Sequence, residues 1–123
     1  MRSVSNHGVM KTILLVAVAA AVLFFLIRSR LQPPQKDERA HELVDAGAKL
    51  VDVRTPGEFG RGHVDGALNI PVDELQSRMS ELGAKDTPVV VYCASGMRSA
   101  RAKRMLEGAG FQTVHDMKTQ SAW

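Results

Sequence analysis

Cysteine is nearly absent from this chain: one residue, Cys93, stands among 123. An intramolecular disulfide is excluded, so the fold does not rest on oxidation, and the lone thiol is either inert core filler or a reactive centre. Acidic residues are absent from the first 36 positions, which hold Arg2, Lys11, Arg28, Arg30 and Lys36. From Lys36 onward 12 Lys and Arg face 13 Asp and Glu, so a formal charge of +3 for the chain becomes −1 for its globular part. The basic balance belongs to the N-terminal flanks and gives no reason to expect nucleic acid as a partner. Internal repeats and low-complexity tracts are also missing.

What is present, first, is an apolar run. Residues 12–27 (TILLVAVAAAVLFFLI) contain 16 positions without a charge. As a helix they span about 24 Å, short of the roughly 30 Å hydrocarbon core, so crossing requires Arg28 and Arg30 to snorkel or the bilayer to thin. A cleavable signal has a similar run but needs small residues just beyond it. Arg28, Ser29, Arg30 and Leu31 stand there instead, and the Ala-x-Ala pattern at Ala19 to Ala21 lies inside the run. The expected organisation is a flank at 1–11, a retained single-pass membrane anchor at 12–27, a linker at 28–36 stiffened by Pro33 and Pro34, and a domain at 37–123. A cleaved signal segment is the alternative, and a buried core helix the third reading. Flanking cations nearly balance across the run. Initiation at Met10 would remove Arg2 and favour a cytoplasmic domain, the side expected here, with an exported domain as the alternative.

The domain reads as alternating helices and strands. Asp37 caps a helix over 38–46 that Gly47 stops, and 49–53 (KLVDV) is a short strand. Positions 55–66 are turn-rich, and 67–70 gives another short extended stretch before Pro71. A second helix is expected over 74–82, capped by Asp73, with Leu75, Met79 and Leu82 at helical spacing. Residues 88–92 (PVVVY) form the clearest strand, a continuous β-branched run of the kind covered on both faces in a parallel sheet. A third helix follows over 99–109, and a last strand over 111–114. This alternation implies an α/β fold, a parallel sheet flanked by helices on both faces, preceded by one N-terminal transmembrane helix.

Cys93 falls where the strongest strand gives way to a helix, and the crevice of an open α/β sheet lies beyond the carboxyl ends of its strands. At a helix N-terminus beside a cation a thiol loses its proton more readily, because orphan N–H groups and positive charge stabilise the thiolate. Arg98 is the nearby cation. Ala94, Ser95, Gly96 and Met97 are mostly small, so the backbone can wrap the sulfur and aim its amides at an anion. Read alone, a lone Cys at a strand end is more often buried and inert; the run CASGMRS reverses that weighting.

The run from Cys93 through Ala94, Ser95, Gly96, Met97 and Arg98 to Ser99 resembles the active-site loop of rhodanese domains. The segments LVDVRTPGEF (50–59) and GHVDGALNIP (62–71) are similar to that family's other two signatures, in the same order, so the resemblance covers nearly the whole chain from about residue 37. It implies a sulfurtransferase in which Cys93 carries sulfur as a persulfide, the residues after it cradle the anion, and no metal or organic cofactor takes part. It further implies a small anionic donor such as thiosulfate, or a persulfide, and a thiol, a protein persulfide or cyanide as acceptor. Asp52, Arg54, Glu58 and His63 are implied to hold the loops around the site, where their mixed charges suggest ion pairs. Arg101, Lys103 and Arg104 are expected on a solvated helix face, and His7, His41 and His115 at the surface without partners. One departure stands out: where the family often has a Gly-Gly turn before Ala-Trp, this chain reads HDMKTQSAW (115–123).

Two rivals remain at this level. A cysteine phosphatase or arsenate reductase also places a thiolate and an Arg in an anion loop, but with one more residue between them; the four from Ala94 to Met97 make a tighter cradle, poor for phosphate. A non-catalytic rhodanese-like carrier or interaction module at the membrane is the other, and the paired Cys93 and Arg98 argue against it.

Overall fold

The computed structural model describes residues 6–33 and 35–123, and the chain falls into two units, Met1–Pro33 and Pro34–Trp123. Arg2 of the flank and Pro34 of the linker lie outside the described residues. The first unit is helix α1 (Asn6–Leu31), whose 26 residues give about 39 Å of length. It is longer than the charge-free run because Lys11 at one end and Arg28 and Arg30 at the other are taken into the helix. None of its residues is buried, and it is long and apolar enough to cross a membrane, a property that signal sequences share.

The second unit holds a four-stranded sheet in the order β2-β1-β3-β4, all neighbours parallel, built from β1 (Lys49–Asp52), β2 (Leu68–Asn69), β3 (Val89–Cys93) and β4 (Val114–Thr119). Parallel strands need crossovers, which pass through α3 (Pro56–Gly60), α4 (Leu75–Arg78) and α5 (Met97–Gly108), while α2 (Glu38–Asp45) precedes β1. β3 is buried along its full length, and its side chains alternate between two cores. Val89, Val91 and Cys93 face a core with Val53, Ile70, Leu75, Leu82, Ala102 and Leu106. Val90 and Tyr92 face the other, with Ala40, Leu43, Leu50, Val64 and Met117. Both faces of the sheet are therefore covered, as the unbroken apolar run over 88–92 requires.

Four expectations about elements are corrected. The turn-rich stretch contains α3, because Thr55 and Glu58 form a reciprocal capping box and Pro56 opens the first turn. The second helix is broken into a 3₁₀ turn (Val72–Glu74), α4 and a second 3₁₀ turn (Met79–Leu82), and Asp73 caps nothing. Its buried residues Val72 and Leu75, and then the partly buried Met79 and buried Leu82, recur at intervals of three, which suits the tighter helix. The third helix begins at Met97, two residues early. The last strand lies at Val114–Thr119 rather than 111–114, because Phe111 is spent on closing α5: after Gly110 at φ 99° its N–H donates to Leu106 O (3.1 Å), and its ring is 3% exposed.

The first and last parts of this unit are joined. Asp37 accepts from Ala40 N–H through its side chain as the α2 cap, while its own N–H donates to Ala122 O (2.7 Å). Its Oδ2 lies 2.7 Å from His115 Nε2, and His41 stacks on Trp123 with ring centroids 3.9 Å apart. His41 and His115 are thus partnered and half-buried, not free surface residues.

Candidate active site

The carboxyl end of β3 delivers Cys93 into the turn that opens α5. Gly96 adopts φ 97° as the N-cap of this helix, a conformation glycine reaches without steric cost, and so folds the chain back over the sulfur. Its N–H donates to Cys93 Sγ at 3.0 Å. The Cys93 thiol also meets Ser99 Oγ at 3.5 Å, and Ser99 in turn donates to Gly96 O at 3.1 Å. Cys93 and Ser99 are fully buried, while Ala94 and Ser95 are exposed above them, so the sulfur lies under a cover one loop thick.

Burial alone would fit an inert thiol, and electrostatics separates the two cases. Desolvation raises the Cys93 pKa, but hydrogen bonds from the Ser99 side chain and from the backbone N–H groups of Ser99, Gly96 and Ser95 outweigh it, and the net shift is downward. A thiol packed only among apolar groups would move upward. The stabilisation comes from the loop and the first turn of α5 more than from Arg98, which the sequence nominated.

Arg98 is engaged elsewhere. Its guanidinium donates to both carboxylate oxygens of Glu58, at 2.7 and 3.0 Å, tying α5 to α3. The bidentate bond from Arg98 holds Glu58 at a pKa of about 2. Met97 is 80% exposed, so its side chain stands on the rim rather than in the cradle.

Asp52 and Arg54 form a second, separate pair at the end of β1. Arg54 Nη2 donates to Asp52 Oδ2 at 2.7 Å and to Gly62 O at 2.7 Å, and Nε donates to both Asp52 oxygens at 3.0 Å. Arg54 also reaches Gln120 Oε1 at 3.4 Å. Both partners are buried, so neither charge is available to solvent. His63 stacks on Phe59 with centroids 3.6 Å apart, and its Nδ1 lies 2.9 Å from Phe59 O. The four residues expected to support the site thus fall into two ion pairs, Asp52 with Arg54 and Glu58 with Arg98, and one ring stack. Among the described residues no group of three or more His, Cys, Asp and Glu converges as metal ligands would. Arg101 pairs with Asp73 at 3.2 Å on an exposed face.

Three participants were not visible in the sequence. Asn69 donates to the carbonyls of Asp52 (3.1 Å) and Arg54 (3.0 Å), fixing the β1 exit; its place within the segment 62–71 was the available signal. Lys118 and Thr119 lie opposite Tyr92 and Cys93 in the β3–β4 ladder, after a register shift between Val91 and Tyr92. The polar stretch HDMKTQ gave no strand signal, because it is an edge strand with a mostly half-exposed face.

Comparison with known proteins gives the following. The Rhodanese-like domain family matches residues 36–119. The chain is similar to YqhL of Bacillus subtilis (strain 168), 35% identical over 109 residues that cover 86% of each chain. It is similar to thiosulfate sulfurtransferase 16, chloroplastic, of Arabidopsis thaliana, 40% identical over 97 residues, covering 68% of this chain and 80% of that one. Among solved structures, a rhodanese with anions from E. coli superposes with a TM-score of 0.60 at 32% identity, covering 63% of this chain and 92% of the other.

Proposed function

The chain belongs to the rhodanese-like domain family, and from that premise we propose that it moves sulfane sulfur through a persulfide on Cys93, from thiosulfate or a persulfide donor to a thiol or cyanide. The observation that carries this reading is the Gly96 N–H held 3.0 Å from Cys93 Sγ within a loop of small residues at the mouth of α5. Amides so placed favour a thiolate, and after transfer they favour the persulfide anion one bond further out.

In the first half-reaction the Cys93 thiolate attacks the outer sulfur of thiosulfate. The S–S bond of the donor breaks, its electron pair leaves with sulfite, and Cys93 is left as a persulfide anion. In the second, cyanide or an acceptor thiolate attacks the terminal sulfur, the Cys93 thiolate departs, and thiocyanate or an acceptor persulfide is released. No proton, oxidant or cofactor is needed for the balance. In this reading Ala94, Ser95, Gly96 and Ser99 cradle the anion, with Met97 contributing its backbone from the rim. Asp52, Arg54, Glu58 and His63 hold the loops, and Arg98 acts by pinning α5 to α3.

A phosphatase reading asks the loop Arg to grip a phosphoryl group. The bidentate Glu58–Arg98 pair speaks against it, since that guanidinium already pairs its charge with a carboxylate. Residues 12–27 are proposed as a retained single-pass anchor and 28–36 as its linker, with the domain on the cytoplasmic side; protease digestion of right-side-out and inverted vesicles distinguishes the sides.

The test of the reaction is the mass of the intermediate. Full-length protein in detergent, mixed with thiosulfate, is expected to gain one sulfur atom, and cyanide is expected to remove it as thiocyanate. Cys93→Ser should fold and gain nothing. Absence of the adduct in the unaltered protein, or an adduct on Cys93→Ser, overturns the reading. A persulfide that no acceptor discharges would mark a carrier.

A further inference from the structure

Lys118 is held in a costly place. Among the described residues it is the one non-glycine with positive φ, at 70°. L residues enter that region at an energetic cost, and such outliers persist where surrounding structure enforces them. Here the enforcement is visible: Met117 is sunk in the core at 2% exposure, the ladder slips between Val91 and Tyr92, and Lys118 N–H donates to Asp116 Oδ1 at 2.9 Å. A glycine would sit in this backbone unstrained. What lysine adds is a stem and a charge.

The stem lies on the sulfur loop. A Cβ placed on Gly96 would stand 3.4 Å from Lys118 Cβ and 3.6 Å from its Cγ, and Gly96 is the residue whose N–H bonds the Cys93 sulfur. The charge is uncommitted. Lys118 is exposed and makes no ion pair among the described residues. It shares a groove with Lys36, Asp37, Glu38 and Asp116; of the carboxylates, Asp37 is taken by His115, and Asp116 receives the Lys118 backbone N–H. Arg98, the cation in the loop itself, is neutralised by Glu58.

We propose that Lys118 is the docking cation of the Cys93 site, a residue that concentrates anionic reactants at the sulfur and sets a preference for anionic over neutral donors. The identity of the anion rests on the sulfur-transfer reading; the packing of the Lys118 stem against Gly96 does not. A lysine on a flexible four-carbon stem serves this end as a mobile point charge, able to meet an incoming donor and release the departing sulfite.

The experiment uses two alkylating agents of similar size on the full-length protein, anionic iodoacetate and neutral iodoacetamide. Both react with the same Cys93 thiolate, so the ratio of their rates cancels any change in thiolate fraction and reports the local charge. In Lys118→Met the ratio is expected to fall about threefold at low salt, to fall similarly in Lys118→Gly, and to be retained in Lys118→Arg. With thiosulfate as donor, Lys118→Met should raise KM and leave kcat nearly unchanged. An unchanged ratio in Lys118→Met overturns the proposal, and a higher melting temperature in Lys118→Gly with the ratio unchanged would assign Lys118 to the fold alone. If the ratio falls but the unaltered protein forms no persulfide, the sulfur-transfer reading fails while the assignment of Lys118 stands.

Discussion

Ser99 has two duties: its hydroxyl donates to Gly96 O and stands 3.5 Å from the Cys93 sulfur. Its side chain is the foremost of the groups that hold the Cys93 pKa down against burial. Ser99→Ala is therefore expected to move the rise in thiolate absorbance at 240 nm to higher pH, with the protein still folded. A midpoint equal to that of the unaltered protein would leave the backbone amides as the whole cause. Arg54 offers a contrast, because it touches no sulfur yet neutralises the fully buried Asp52. Arg54→Met strands that carboxylate in the core, and denaturant titration is expected to show a loss of about 3–5 kcal/mol.

At the scale of elements, α3 is small and consequential. Its five residues are started by Thr55 and Pro56, and its Glu58 serves both the capping box and the bond to Arg98 that reaches α5. The bond from Arg98 lowers the Glu58 pKa from 4.5 to about 2, so its stabilising effect is complete above pH 4.5 and lost as pH falls from there toward 2. Glu58→Gln should thus unfold more readily than the unaltered protein at neutral pH, and the two should converge in unfolding scans as the buffer is taken down through that window. A constant gap at all pH values would show that shape, not charge, is what Gln fails to supply. The mixed charges of Asp52, Arg54 and Glu58 announced ion pairs, but nothing in the sequence named Arg98 as the partner of Glu58. The apolar run over 88–92, the Asp37 cap and the glycines after helices were legible because period, caps and turns are local signals. The half-buried Glu58–Arg98 pair, by contrast, joins residues 40 positions apart. The true place of β4 escaped for another reason: an edge strand of polar residues carries no alternation, and Phe111, which looked like its start, is a helix terminator.

For the whole molecule, the apolar helix and the domain call for different tests. α1 exposes every one of its 26 residues, a surface that water does not favour and lipid does. The full-length protein is expected to remain with membranes after carbonate washing, and Edman degradation or mass spectrometry to find residues 12–27 still attached. A mature N-terminus beyond Ile27 would make the segment a signal and the domain an exported one. The bond from Asp37 N–H to Ala122 O has a further consequence, of modularity. A domain whose chain arrives and departs at one spot can be spliced into a surface loop of a host protein, or repeated in tandem, without prying the host apart. By the same logic a circular permutant that bridges Trp123 to Asp37 with a short spacer, and opens instead at the exposed turn over 84–86, should keep its sheet and its sulfur loop.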